Sequence, residues 1–379
     1  MAESSADVSP LVIERESPRF NVLVVLAFVA CAGFLLASAY WLSTASDWSA
    51  IGLGVLAGFL AYWIVAVPVH ELGHAMVGWL VRFRLLVFLF GPFCIFKDEG
   101  GYRVITRMPP LASFHGLTFA VPTGSRLVGL RFALVILGGP VGSLVFSALC
   151  FAIAPHLSPG SAGLILSVVV GSVSFFVAIT TLVPVKTGMA RSDGLQLLGA
   201  LFRTHTFRLA EATLTLMGSS LDGLRPREWD ESCIARLKSV PDMEPIGGML
   251  LYYYYMDKAD LDGAGAVLAA MEKGKPKTGQ QPLPGPLLDG AYFAAGYGSV
   301  ERARAMLEQG LGRGAHRHTE LRAEAAVLCA EGKFADALSC AREGMQRGDA
   351  CSDTGFAVLE HEMFQELINK AENGLRATT

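Results

Sequence analysis

Four apolar stretches, residues 20–42, 50–81, 131–154 and 161–183, are each long enough to cross the hydrocarbon core of a bilayer as a helix, which takes about 20 residues. Such stretches leave a chain few options, because in lipid every backbone N–H and C=O must find its partner within the segment. They are confined to the first half; beyond about residue 200 the sequence turns charged and alanine-rich. The expected organisation is an N-terminal tail (1–19), a transmembrane domain (20–202) and a helical domain (203–379). The fold class is mainly α, a polytopic membrane helix bundle of about four spans followed by a helical domain.

Charge orients the chain. Glu3, Asp7, Glu14 and Glu16 precede the first stretch, which outlasts the short apolar core of a signal peptide and reads as a retained anchor. Arg82, Arg84, Lys97, Arg103, Arg107, Arg126 and Arg131 lie between the second and third stretches, while 43–49 and 155–160 carry neither Lys nor Arg. By the positive-inside rule both termini and the 82–131 loop are cytoplasmic, in a multi-pass protein expected in the plasma membrane. A net charge of -3 gives no electrostatic basis for binding nucleic acid. The seven cysteines are scattered without a CxxC pair, as free thiols in a reducing compartment would be.

The loop between the second and third stretches is itself apolar over 85–96. Phe93-Cys94-Ile95-Phe96, then Lys97-Asp98-Glu99-Gly100-Gly101, then Tyr102-Arg103-Val104-Ile105 reads as a β-hairpin, so a small sheet is expected at the membrane surface. Gly91-Pro92 and Pro109-Pro110 punctuate its ends. Past residue 203 the pattern is of short helices. Segments 261–268 (LDGAGAVL), 300–307 (VERARAML) and 334–341 (FADALSCA) superpose, offset by 39 and then 34 residues, near the tetratricopeptide period. Ala264, Ala303 and Ala337 recur where paired helices would approach closely. Gly54-x-x-x-Gly58 and Gly138-x-x-x-Gly142 permit the same between spans.

The chemistry is concentrated at His70-Glu71-Leu72-Gly73-His74, inside the second stretch. Helical residues four apart share a face, so His70 and His74 can offer two imidazoles to one zinc ion, with Glu71 beside it as general base for peptide hydrolysis. Three ionisable side chains in an apolar span are costly and mark a functional site. The competing reading is a polar cavity or helix contact without metal. A catalytic zinc usually takes a third protein ligand. Asp98, Glu99, His115, His156 and Asp193 are candidates. The first two suit a solvated turn and His156 falls on the opposite side of the membrane, which leaves His115 and Asp193. Asp193, before Gly-Leu-Gln-Leu-Leu, also suits a helix N-cap, and His115, beside Phe114, also suits simple packing.

These motifs resemble the site-2 protease family of intramembrane zinc metalloproteases. Besides the HExxH helix, Thr181-Leu182-Val183-Pro184 is similar to the family's Asn-x-x-Pro turn, Ser192-Asp193-Gly194-Leu195 to its Asp-Gly helix start, and Gly139-Pro140-Val141-Gly142-Ser143 to its Gly-Pro-x-x-Asn element. The resemblance covers roughly residues 50–200 and leaves the C-terminal half unmatched. It implies Asp193 as the third zinc ligand, and substrate-holding roles at the positions of Ser143 and Thr181. On the residues alone, His115 is a further candidate to line the site or contact substrate. Thr181 and Ser143 replace the family's asparagines, and the segment 185–192 is longer than its compact turn, so substrate handling is where this chain departs. The implied activity is regulated intramembrane proteolysis, the cutting of transmembrane segments of membrane-tethered proteins. A membrane-associated sheet also belongs to the family, and its strand edge could hold an unwound substrate by β-augmentation. The helical domain would bind a cytosolic protein partner or a substrate's cytosolic part. The alternatives are a catalytically inactive scaffold acting through the helical domain, a zinc protease of soluble or peripheral substrates, and a transporter. For the last there are neither paired inverted repeats nor enough spans.

Overall fold

The computed structural model describes residues 60–90, 93–98, 101–105, 116–159, 161–187, 190–240, 245–273, 283–313, 315–348 and 354–378. The tail, the stretch 20–42, the first part of 50–81, Gly91-Pro92, Pro109-Pro110 and His115 lie outside these residues. The described part is mainly helical with a small antiparallel sheet. Among the described residues, two helical segments, Val128–His156 and Ala162–Leu182, are long and apolar enough to cross a membrane, with mean hydropathies of 2.1 and 2.4. The contacts divide the chain into two units: residues up to His70 with Gly139–Leu198, and Glu71–Gly138 with Gly199–Thr379.

In the first unit the chain enters helix α1 (Val67–Leu80) through a π-helical turn, Tyr62–Ala66, in which Val67 N donates to Tyr62 O. Pro68 explains the turn, since it has no N–H for the carbonyl one turn back and the helix widens there. The later part of α2 (Val128–Ile153) runs alongside α3 (Ala162–Leu182). Apolar contacts between them involve Cys150 and Val170, with Ala61 from the entry to α1. Two hydroxyls reach carbonyls across these helices, Ser147 Oγ to Gly171 O (2.8 Å) and Ser167 Oγ to Cys150 O (2.7 Å). Such bonds satisfy hydroxyls that lie between packed helices. After α3 a two-stranded hairpin, β5 (Lys186–Thr187) with β6 (Ala190–Arg191), leads into α4 (Asp193–Leu201).

The second unit contains a four-stranded antiparallel sheet in the order β3-β2-β1-β4. Its strands are β1 (Phe83–Phe90), β2 (Phe93–Asp98), β3 (Gly101–Ile105) and β4 (Gly116–Pro122). The hairpin read from sequence is β2–β3, with Cys94 opposite Ile105 and Asp98 opposite Gly101. Strand β4, which sequence periodicity did not single out, pairs with β1 and forms the other edge. Arg131, near the start of α2, ties the turn after α1 to the end of β4, donating to Val81 O (2.8 Å), Arg82 O (2.6 Å) and Thr123 O (3.0 Å). Where α1 passes α2, a Cβ on Gly138 would stand 2.6 Å from Gly73 O, so the small residue is what allows the approach.

Helix α5 (His205–Leu221) packs on β4. Arg84 of β1 donates to Leu221 O (2.8 Å) and Asp222 Oδ1 (3.0 Å), and Gly124 N donates to Asp222 Oδ2 (2.7 Å). Glu211 accepts from Gly129 N (3.0 Å) in the first turn of α2, where a helix favours negative charge. After α6 (Glu231–Lys238) come three helical hairpins, α7 (Pro245–Asp257) with α8 (Leu261–Lys273), α9 (Pro284–Tyr297) with α10 (Val300–Gly310), and α11 (Arg317–Ala330) with α12 (Phe334–Gly348), then α13 (Thr354–Thr378). The three superposable segments are the starts of α8, α10 and α12, and Ala264, Ala303 and Ala337 are fully buried. Asp260 Oδ1 and Ser299 Oγ accept from first-turn amides of α8 and α10 at 2.9 and 3.3 Å and fix where those helices begin. Within this core Arg322 is fully buried between the carboxylates of Asp289 and Glu360, with Tyr253 Oη donating to Asp289 Oδ1 at 3.1 Å.

Candidate metal centre

His70 and His74 stand one turn apart on α1 and are both buried. His74 Nδ1 donates to Val135 O at 2.8 Å. A carbonyl only accepts, so in the neutral imidazole this nitrogen carries the proton and Nε2 keeps its lone pair, the state a metal ligand needs. His70 Nδ1 lies 3.1 Å from Ser143 Oγ, and His70 Nε2 lies 3.0 Å from Asp193 Oδ2. Each of His70, His74 and Asp193 offers one ligand atom, all within 4.8 Å of one another. Two imidazole nitrogens and one carboxylate are a donor set that could hold a metal ion, zinc among them.

Asp193 is delivered by local structure. Helix α3 stops at Leu182, and Val183 is extended because the following Pro184 disfavours helix. The β5–β6 hairpin then turns the chain back, with Ser192 N donating to Val185 O at 3.0 Å. Ser192 takes the capping role that the sequence equally allowed for Asp193: its Oγ accepts from Leu195 N (3.3 Å) and Val185 N (2.9 Å) and donates to Val183 O (2.6 Å). The Asp193 carboxylate is thereby directed to His70. Gly194 follows because any Cβ there would overlap the Leu182 carbonyl.

Glu71, also buried, meets Thr118 of β4, whose Oγ1 lies 2.7 Å from Glu71 Oε2 and 3.0 Å from Glu71 O. Ser143, expected from the resemblance to hold substrate, is fully buried and its hydroxyl is engaged with the His70 imidazole. Thr181 Oγ1 donates to Ala178 O (3.2 Å) within its own helix. His156 is exposed in the short turn Ala154–His156 that ends α2. Sequence reasoning did not find Thr118 or the Val135 carbonyl. A strand threonine carries no local signal, and a backbone acceptor carries none at all. The Ser192 cap was also missed, with Asp193 considered for that role, although Ser before Asp-Gly is a helix-start pattern. No family model, curated protein or solved structure matches the chain.

Proposed function

We propose that this chain is a membrane-embedded zinc endopeptidase that hydrolyses peptide bonds in or near the transmembrane segments of membrane-tethered proteins. The observation that carries the reading is the convergence of His70, His74 and Asp193, with Glu71 adjoining the first ligand in sequence. His70, His74 and Asp193 would hold the zinc ion, which would supply Lewis-acid chemistry for peptide hydrolysis. Glu71 Oε would act as general base towards the attacking water and afterwards deliver the proton to the leaving amide nitrogen. His74 is held in its ligand tautomer by Val135 O, and His70 is steadied by Ser143. Burial of His70, Glu71 and His74 limits the access of bulk water to the site.

The membrane part of the proposal comprises four spans, of which α2 and α3 have the length and apolarity required, with both termini in the cytoplasm. The helical hairpins of 245–348 act as a tetratricopeptide-like surface for a cytosolic partner or the substrate's cytosolic part. To test the activity, Glu71→Ala and Asp193→Asn variants are expressed beside the wild type, membrane-protein fragments are compared, and bound zinc is measured on purified protein. Glu71→Ala is expected to abolish fragment production while keeping zinc, and Asp193→Asn to lower both. A Glu71→Ala strain with every fragment unchanged refutes the reading.

A further inference from the structure

We infer that Thr118 is a positioning residue for Glu71, and that strand β4 forms the seat in which the base is held. This rests on the reading of Glu71 as the general base. Gly116 and Thr118, two apart on one face of β4, both meet the same side chain. A Cβ at position 116 would lie 2.8 Å from Glu71 Cγ and 2.9 Å from Cδ, so the carboxylate occupies the space that the glycine leaves. The Thr118 hydroxyl has one hydrogen and two acceptors in reach. The shorter contact, 2.7 Å to Oε2, is the charge-assisted one. A glutamate without such a partner distributes over several rotamers, and proton transfer needs its oxygen at one place.

The seat is firm because β4 is fixed along its length. Gly116 pairs with Phe90 and Thr118 with Phe88 of β1, and just past the end of the strand Gly124 N is bonded to Asp222, beyond α5. The plain competing role for Thr118 is that of a β-branched residue suited to a strand. Thr118→Val keeps that shape and removes only the hydroxyl, whereas Thr118→Ser keeps the hydroxyl and removes the branch.

The test uses full-length, zinc-loaded protein in detergent, with fluorescein-labelled β-casein as an unfolded probe and Glu71→Ala alongside. Thr118→Val is expected to lower kcat about 10- to 100-fold with KM and zinc content unchanged, the range seen for outer-shell partners. Thr118→Ser should stay near wild type, and Gly116→Ala should lose activity while retaining zinc. Wild-type kcat in Thr118→Val, equal losses in Val and Ser, or zinc lost along with activity each overturn the inference. Cleavage indifferent to Glu71→Ala sinks the metalloprotease reading itself, whereas Glu71-dependent cleavage with an unimpaired Thr118→Val sinks only the seat.

Discussion

Replacing Ser143 by alanine tests whether the candidate metal centre is organised as its hydrogen bonds indicate. The hydroxyl is 3.1 Å from His70 Nδ1 at a fully buried position, where solvent cannot readily take its place. Removing one partner of a buried hydrogen bond costs about 1–3 kcal/mol. At about 1.4 kcal/mol per tenfold, that is roughly a 5- to 150-fold weaker hold on zinc, bracketing the 10- to 100-fold typical of such partners. Metal binding should weaken and not vanish, because His70, His74 and Asp193 all remain. Purified wild type and Ser143→Ala, matched in helicity by circular dichroism, would be titrated with zinc against a chromogenic chelator. Affinities agreeing within about twofold would refute the proposed role of Ser143 in orienting the ligand.

Two further expectations concern the helical region. Burial, only partly offset by Arg322, pushes the Asp289 carboxyl up from 3.8 to about 6. A raised folded-state value means stability that is full below about pH 4 and lost as pH rises through 6, about 3 kcal/mol in all. Asp289→Asn should remove that component, seen as a flatter dependence of denaturation midpoint on pH between 4 and 7; parallel wild-type and variant profiles would refute it. Arg322→Leu leaves the buried Asp289 and Glu360 carboxylates facing each other without their cation, and should destabilise by about 3–5 kcal/mol. Chemical denaturation followed by tyrosine fluorescence measures this, and a loss below about 1 kcal/mol would show the cluster to be dispensable.

Much of the molecule was legible because its signals are local or periodic. The apolar lengths marked α2 and α3, alternation and the Gly-Gly turn marked β2–β3, and the small-residue pattern marked the starts of α8, α10 and α12 to the residue. HExxH spacing on a helix by itself places two imidazoles on one face. Composition also changes near residue 203, but the contacts group everything from Gly199 onward with Glu71–Gly138. Side chains such as Asp222 and Glu211 make the connections between α5 and the sheet or α2, and composition does not report them.

What the sequence determined by itself is the segment His70-Glu71-Leu72-Gly73-His74 and the helix that presents it. Tertiary structure decided which acid faces His70, through the β5–β6 hairpin and the Ser192 cap that bring Asp193 to 3.0 Å from its imidazole. It also decided that the Val135 carbonyl sets the His74 tautomer and that Ser143 and Thr118 serve the imidazole and the carboxylate. The physical reason is one of range. Helical periodicity acts over four residues and can be counted along the chain, whereas these partners lie 47 to 123 residues away and meet only when the chain has packed.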